Sequence, residues 1–281
     1  MNILNSKLNL AAQKITLDAR SKYLRSLVVK SLLGAGRGHM GSAMSIIEIL
    51  RVCYDSYIKH FPNDANNDLR DRLILSKGHG CLGLYALLVD KGYFSISELD
   101  SVGSFNSILG GHPEHYKIPG VEASTGALGH GLSIGVGIAK ALKMKKKNNK
   151  VIVIVGDGEI NEGSVWEAAM SASKHNLNNL IVFIDYNKIQ SYGFTSDVID
   201  LEPLAEKWKS FGFIVNEVNG HDINQIEESL NQSSEDDRPK AIICHTVKGK
   251  GFPFAENNPK WHHKNNFTDE EISLLKEFTN T

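Results

Sequence analysis

Val151-Ile-Val-Ile-Val155 runs straight into Gly156-Asp-Gly158, and that junction decides the fold. Five consecutive β-branched residues leave no polar face to turn toward water, the pattern of a strand buried on both sides in a parallel sheet. Residues 166–175 then carry helical spacing, and Leu180-Ile-Val-Phe-Ile184 repeats the buried-strand pattern before stopping at Asp185-Tyr-Asn187. Strand, helix and parallel strand make a βαβ unit. Working outward, residues 73–75, 213–218 and 241–244 read as further short strands. Helical spacing runs through residues 8–33, from about Ser45 to before Pro62, and through residues 82–89, 132–144 and 223–230. Ser45-Ile-Ile-Glu48 reads as a capping box opening the second of these helices. Residues 64–72 form a polar loop, and residues 101–131, crowded with Gly, Ser, His and Pro, mark a binding surface. The expected fold class is α/β, a doubly wound, mostly parallel sheet flanked by helices in one layered domain.

Composition narrows the function. The chain has 281 residues with 41% hydrophobic and 22% charged, which excludes a disordered or fibrous protein. Its 31 Lys+Arg against 32 Asp+Glu give a formal charge of -1, so no positive field exists to hold nucleic acid. The apolar runs fall far short of the roughly 20 residues that cross a bilayer, so no membrane partner is expected. Met1-Asn-Ile-Leu-Asn-Ser-Lys7 lacks the basic-then-apolar pattern of a secretory signal, and a cytoplasmic location is the expectation. Cys53, Cys81 and Cys244 are odd in number and widely spaced, which reads as buried thiols. The basic run at residues 145–150 reads as a solvated helix end.

In a right-handed βαβ unit the carboxyl ends of both strands lie on one edge of the sheet, where ligands bind. Asp157 and Asn187 stand at such ends. A carboxylate and an amide carbonyl are hard oxygen donors suited to Mg²⁺, which keeps other positions for water and phosphate oxygens. Gly156 and Gly158 permit close backbone approach, and the following helix N-terminus favours an anion. The expected ligand is a Mg²⁺-bound di- or triphosphate, with an ordinary tight turn as the plain alternative.

The longer string Gly156-Asp-Gly-Glu-Ile-Asn-Glu-Gly163, with Asn187 thirty positions after Asp157, resembles the thiamine diphosphate-binding motif. Its surroundings resemble the transketolase family in particular. The likeness covers residues 17–263 through Gly38-His39-Met-Gly41, Ser76-Lys-Gly-His79, Gly111-His-Pro-Glu114, Gly126-Ala-Leu-Gly-His-Gly131, Thr246-Val-Lys-Gly-Lys-Gly251 and Trp261-His262. The resemblance implies thiamine diphosphate and Mg²⁺, or another divalent cation such as Ca²⁺ or Mn²⁺. It implies metal ligation by Asp157, Asn187 and the backbone carbonyl of Ile189, and diphosphate contact at Gly156 and Gly158. Gly126 and Leu128 match the segment that meets the aminopyrimidine. His39, His79, His112 and His262 match the active-site histidines, His79 and His262 also touching the cofactor. Glu162 matches a catalytic glutamate and, with Glu167, belongs to an acidic network near a two-fold axis. The implied reaction passes a two-carbon ketol unit from a ketose to an aldose, with the cofactor supplying the carbanion and histidines moving protons. His60, His115, His175, His221 and His245 read as structural, and His130 and His263 stay open.

Family enzymes complete the site with a second domain. The expectation is therefore an N-terminal subunit of a split transketolase, inactive alone, joined by a separately encoded C-terminal subunit, with two copies of each chain. Residues 1–263 would form the cofactor domain and residues 264–281 a helical tail, with Thr268-Asp-Glu-Glu271 as its cap and Leu274, Leu275 and Phe278 on its apolar side. Expected substrates are sugar phosphates or other acidic sugars such as sulfonates. Two departures from the family pattern bear on the sugar pocket: Met40-Gly-Ser-Ala-Met44 stands where proline-containing sequence is usual, and His263 replaces a small residue. Three other readings stay open. One is another thiamine diphosphate enzyme, such as a deoxyxylulose phosphate synthase-like or 2-oxo acid dehydrogenase-like subunit. The second is a non-catalytic cofactor-binding subunit. The third is an NAD-dependent dehydrogenase, because Gly36-Arg-Gly-His-Met-Gly41 matches Gly-x-Gly-x-x-Gly, although a helical pattern precedes it and Asp55 falls in a helical stretch.

Overall fold

The computed structural model describes residues 3–191, 193–232 and 236–279, the side chains of residues 3, 278 and 279 excepted. Two helices open the chain, α1 (Ile3–Lys14) and α2 (Ala19–Ala35), followed by short α3 (Met40–Met44) and α4 (Ile47–Val52). Then come β1 (Arg72–Leu75), α5 (Cys81–Asp90), α6 (His130–Met144), β2 (Val151–Gly156), α7 (Gly163–Lys174) and β3 (Leu180–Tyr186). The last elements are α8 (Thr195–Val198), α9 (Leu204–Ser210), β4 (Ile214–Asn219), α10 (Ile223–Asn231), β5 (Lys240–His245) and α11 (Asp269–Thr279).

The five strands form one sheet in the order β1-β2-β3-β5-β4, every pair parallel. Every residue of β1, β2 and β3 is buried, the apolar runs of residues 73–75, 151–155 and 180–184 together with Arg72 and Asp185. Alternate residues serve opposite faces. Ile152, Ile154 and Phe183 join a core with α2, α4 and α5, while Val151, Val153, Val155 and Val182 join a second core with α6, α7 and α9. Each such side chain removed from water contributes about 1.5–3 kcal/mol. The sheet is thus covered on both faces, the doubly wound class that the sequence predicts. The pairing of Gly156 with Asp185 places the ends of β2 and β3 side by side.

Several local expectations need correction. The single helix over residues 8–33 is two helices, because Asp18 is extended and its carboxylate accepts the Ser21 N–H at 2.8 Å, starting α2 afresh. Ser45-Ile-Ile-Glu48 is not a capping box. The Ser45 hydroxyl donates to Asp185 and Glu48 pairs with Arg25 and His221, so both polar groups serve tertiary contacts. That helix starts later, at Ile47, after a turn that separates it from α3, and continues as a π-helical turn over Cys53–Tyr57. The dinucleotide fingerprint also fails, since Gly36 is the left-handed C-cap of α2, a helix where the fingerprint needs a strand. Among the described residues the cysteines are free and buried, and no helix is long and apolar enough to cross a membrane.

The tail helix α11 packs on α2 and buries Leu275 completely. The Phe278 side chain expected there lies outside the described residues.

Candidate active site

The carboxyl ends of β2 and β3 open into a cavity of about 320 Å³. Asp157, Asn187 and Ile189 all line it, as do Gly126, Leu128, Gly156, Gly158, His39, His79, His112 and His262. Residues from seven separate stretches of the sequence therefore meet at the one edge where the topology leaves room.

Each lining group has a local reason for its position. Asp157 ends β2 and accepts the Gly158 N–H at 2.7 Å and the Lys188 N–H at 2.5 Å, which ties the two strand ends together. Asn187 is held from both sides: its amide donates to Asp185 at 2.9 Å and its oxygen accepts the Ile189 N–H at 3.1 Å. Gly126 has φ 141°, and a Cβ there would meet the His112 ring at 2.9 Å. Only glycine allows that approach. The irregular segment around His112 is pinned by the Tyr85 hydroxyl, which donates to the carbonyls of Gly110 at 3.0 Å and His112 at 2.9 Å.

The histidines form one cluster. The His39 ring lies 5.3 Å from His79, 6.4 Å from His112, 5.4 Å from His262 and 4.3 Å from His263, centroid to centroid. Burial, then the neighbouring imidazoles of His263 and His112 and the ammonium groups of Lys248 and Lys77, push His39 down to about 3. Burial and Lys248 push His262 down to about 3 as well, and burial lowers His79 and His112. These imidazoles are therefore neutral near pH 7.

Sequence reading missed a charged layer beneath them. Lys77 and Lys248 are almost wholly buried and line the cavity with Ser42, Glu159, Gln190 and Ser191. Lys77 pairs with Asp185, which also accepts from Ser45, Asn187 and Thr246. Burial raises the Asp185 carboxyl, yet Lys77 and these donors hold it below the usual carboxylate range. Lys248 donates to the Ile189 carbonyl at 2.6 Å, and burial lowers it to about 8. Burial and the nearby Asp185 charge lift Asp157 to about 6 against the pull of Lys248. Glu159 accepts from the Gly156 and Gly129 N–H groups at 2.9 and 3.0 Å and from Ser76, joining the end of β2 to the start of α6. The signal for both lysines was present, since Lys77 lies inside Ser76-Lys-Gly-His79 and Lys248 inside Thr246-Val-Lys-Gly-Lys-Gly251.

Two expected residues stand apart. Glu162 and Glu167 are exposed at the start of α7 and do not line the cavity. Of the two histidines left open, His263 joins the cluster, while exposed His130 hydrogen-bonds the Leu128 carbonyl through its ring. The five read as structural have partners elsewhere, such as Glu48 for His221 and Glu217 for His245.

Three polar atoms on the cavity wall are buried without a hydrogen-bond partner: Ser42 Oγ, Gln190 Nε2 and His262 Nδ1. Buried polar groups are normally satisfied, so three orphans around one cavity fit a polar ligand seated there. Among the described residues no three His, Cys, Asp or Glu side chains gather as a metal cage. A carboxylate, an amide oxygen and a carbonyl are instead a donor set for a hard divalent cation that retains water or phosphate ligands.

Comparison with known proteins shows the family of the chain. A family model described as "Transketolase, thiamine diphosphate binding domain" matches residues 17–279. The chain is 41% identical over 262 residues to a protein of Actinobacillus succinogenes named as one subunit of an apulose-4-phosphate transketolase, covering 93% of this chain and 95% of that protein. It is 39% identical over 254 residues to "6-deoxy-6-sulfo-D-fructose transketolase subunit SqwG" of Clostridium sp., covering 90% and 92%. The solved transketolase of Campylobacter jejuni superposes with a TM-score of 0.86 at 32% identity, over 100% of this chain and 43% of that one.

Proposed function

The chain belongs to the transketolase family, over that family's thiamine diphosphate-binding domain, and from this membership we propose that it is the cofactor-holding subunit of a two-chain transketolase. The complex transfers a two-carbon ketol unit from a ketose to an aldose. The observation that carries the reading is the strand-end cavity, where a neutral histidine cluster faces buried lysines and three unpartnered polar atoms.

In this reading Asp157, Asn187 and the Ile189 carbonyl hold Mg²⁺ or a similar divalent cation. Gly156 and Gly158 admit the diphosphate, with Lys77 and Lys248 supplying positive charge at the same end. Gly126 and Leu128 take the opposite end of the cofactor. When bound, thiamine diphosphate supplies the nucleophilic carbon and the electron sink. His39, His79, His112 and His262 accept protons from sugar hydroxyls as carbonyl groups form, and return them as carbonyl groups are consumed. Glu162 and Glu167 lie at a contact between two copies of this chain. Residues 1–263 act as the cofactor domain and residues 264–281 as its tail.

The partner is a separate chain that completes the site, as the word "subunit" in the names of similar proteins of nearly the same length supports. Two copies of each chain make the assembly, and it works in the cytoplasm. Those proteins are named for apulose 4-phosphate and for 6-deoxy-6-sulfo-D-fructose, which supports an acidic sugar as substrate. A transfer assay tests the proposal. Ketol transfer is expected only when this chain, its partner, thiamine diphosphate and Mg²⁺ are combined. Turnover by this chain alone would contradict it.

A further inference from the structure

Glu159 is a buried carboxylate with no part in the proton transfers proposed above. It opens the short 3₁₀ turn Glu159–Asn161 just after Asp157, is only 2% exposed, and stands in the cavity wall. Both of its oxygens accept backbone N–H groups. Oε2 accepts from Gly156 at 2.9 Å, and Oε1 accepts from Gly129 at 3.0 Å together with the Ser76 hydroxyl. One side chain therefore joins three segments: the end of β2, the entry to α6 and the residue after β1.

The chemistry of the side chain fits this task. Unlike Glu48 with Arg25, or Asp185 with Lys77, Glu159 forms no ion pair among the described residues. Burying a carboxylate costs more than burying a neutral amide of the same shape. What the carboxylate adds is a second acceptor oxygen, because an amide in its place would turn an NH₂ group toward one of the two N–H groups.

The segment that Glu159 reaches is also held from its other side. The Gly129 carbonyl accepts from the Ser164 hydroxyl at 3.0 Å. Gly129 has φ 82°, and a Cβ there would meet Ser164 Oγ at 2.6 Å and Glu162 Cβ at 2.7 Å, so the entry to α6 sits directly against the start of α7. Gly129 follows Leu128, and Gly156 precedes Asp157. The bonds of Glu159 thus tie together the two segments that, in the reading above, take opposite ends of the cofactor.

We propose that Glu159 is a positioning residue that fixes the spacing between residues 126–128 and residues 156–158, so that a ligand reaching both is bound without first having to order the site. The inference rests on the cofactor reading proposed above.

The test is calorimetric titration of the two-chain complex, freed of cofactor, with two probes in the presence of Mg²⁺. Inorganic pyrophosphate occupies the diphosphate end alone, whereas thiamine diphosphate spans both ends. In Glu159→Ala the ratio of the thiamine diphosphate to the pyrophosphate association constant is expected to fall about ten-fold or more, the scale of lost hydrogen bonds to a charged acceptor. Glu159→Gln, which keeps one acceptor oxygen, should recover part of that ratio. Ser164→Ala, which removes only the bond to the Gly129 carbonyl, should give a smaller fall of the same kind. If Glu159→Ala does not fold, these two variants carry the test by the same criterion. An unchanged ratio overturns the proposal, whether both probes bind as in wild type or both weaken equally, because Glu159 would then serve one end of the site or the fold in general. If the wild-type complex binds thiamine diphosphate no better than pyrophosphate, the cofactor reading fails instead. Amide hydrogen exchange then decides the positioning role: faster exchange over residues 126–131 in Glu159→Ala, with β3 unchanged, supports it, and exchange equal to wild type overturns it.

Discussion

At the scale of single residues, Asp157 carries the most weight. It stands where two strand ends meet, and burial makes its carboxylate costly unless a cation shares the site. Asp157→Ala is expected to weaken Mg²⁺-dependent thiamine diphosphate binding at least a hundred-fold in calorimetric titration, leaving the melting temperature of the free chain near that of wild type. Undiminished binding would remove Asp157 from the metal set. The histidines make a different prediction. With folded values near 3 for His39 and His262 against an ordinary 6.5, the unfolded chain binds more protons between those limits. Stability is therefore lost as pH falls from about 6.5 toward 3, and these groups contribute no pH slope above it. The thermal midpoint should drop between pH 7.5 and pH 5, and drop less in His39→Asn; identical slopes would contradict the assignment. Asp157 and Asn187 were legible in the sequence because chain ends of buried strands have a fixed address. Lys77, Lys248 and Glu159 were not, because a charged residue reads as solvated until packing shows it enclosed.

At the scale of elements, the loop after β5 shows how a buried polar network positions a functional side chain. Glu48 on α4 accepts from Arg25 at 2.6 and 2.9 Å and contacts His221 Nδ1 at 2.7 Å. His221 Nε2 accepts the Val247 N–H at 2.9 Å, which puts the ring proton on Nδ1, facing Glu48. Arg25 Nε donates to the Lys250 carbonyl at 2.8 Å. The loop is thus gripped on both sides of Lys248. Burial raises the Glu48 carboxyl, but Arg25 and His221 outweigh it and hold the group well below the usual range. Glu48→Ala would leave Arg25 buried without its anion, at a cost of about 3–5 kcal/mol. Urea unfolding should register that loss, and a midpoint equal to wild type would show the network to be dispensable. The sequence suggested a capping box at Ser45 and Glu48 because the spacing fits one; tertiary partners for both residues overrode the local pattern. The strands were read more faithfully, since five β-branched residues in a row have few other solutions.

At the scale of the whole molecule, the order β1-β2-β3-β5-β4 gathers motifs scattered from His39 to His262 along one edge. Composition and periodicity reveal the layered class but not this convergence, which depends on strand order. They also cannot show which loops face a second chain. The chain spans 43% of the Campylobacter jejuni transketolase but 95% of the Actinobacillus succinogenes protein, and that contrast motivates the two-chain account. Its most direct test is native mass spectrometry of the complex purified gently from the cells that make it, reading assembly mass and retained cofactor together. The account predicts two copies of this chain with two of a second chain, carrying thiamine diphosphate and a divalent cation. A stable assembly of this chain alone, or one carrying NAD, would contradict it.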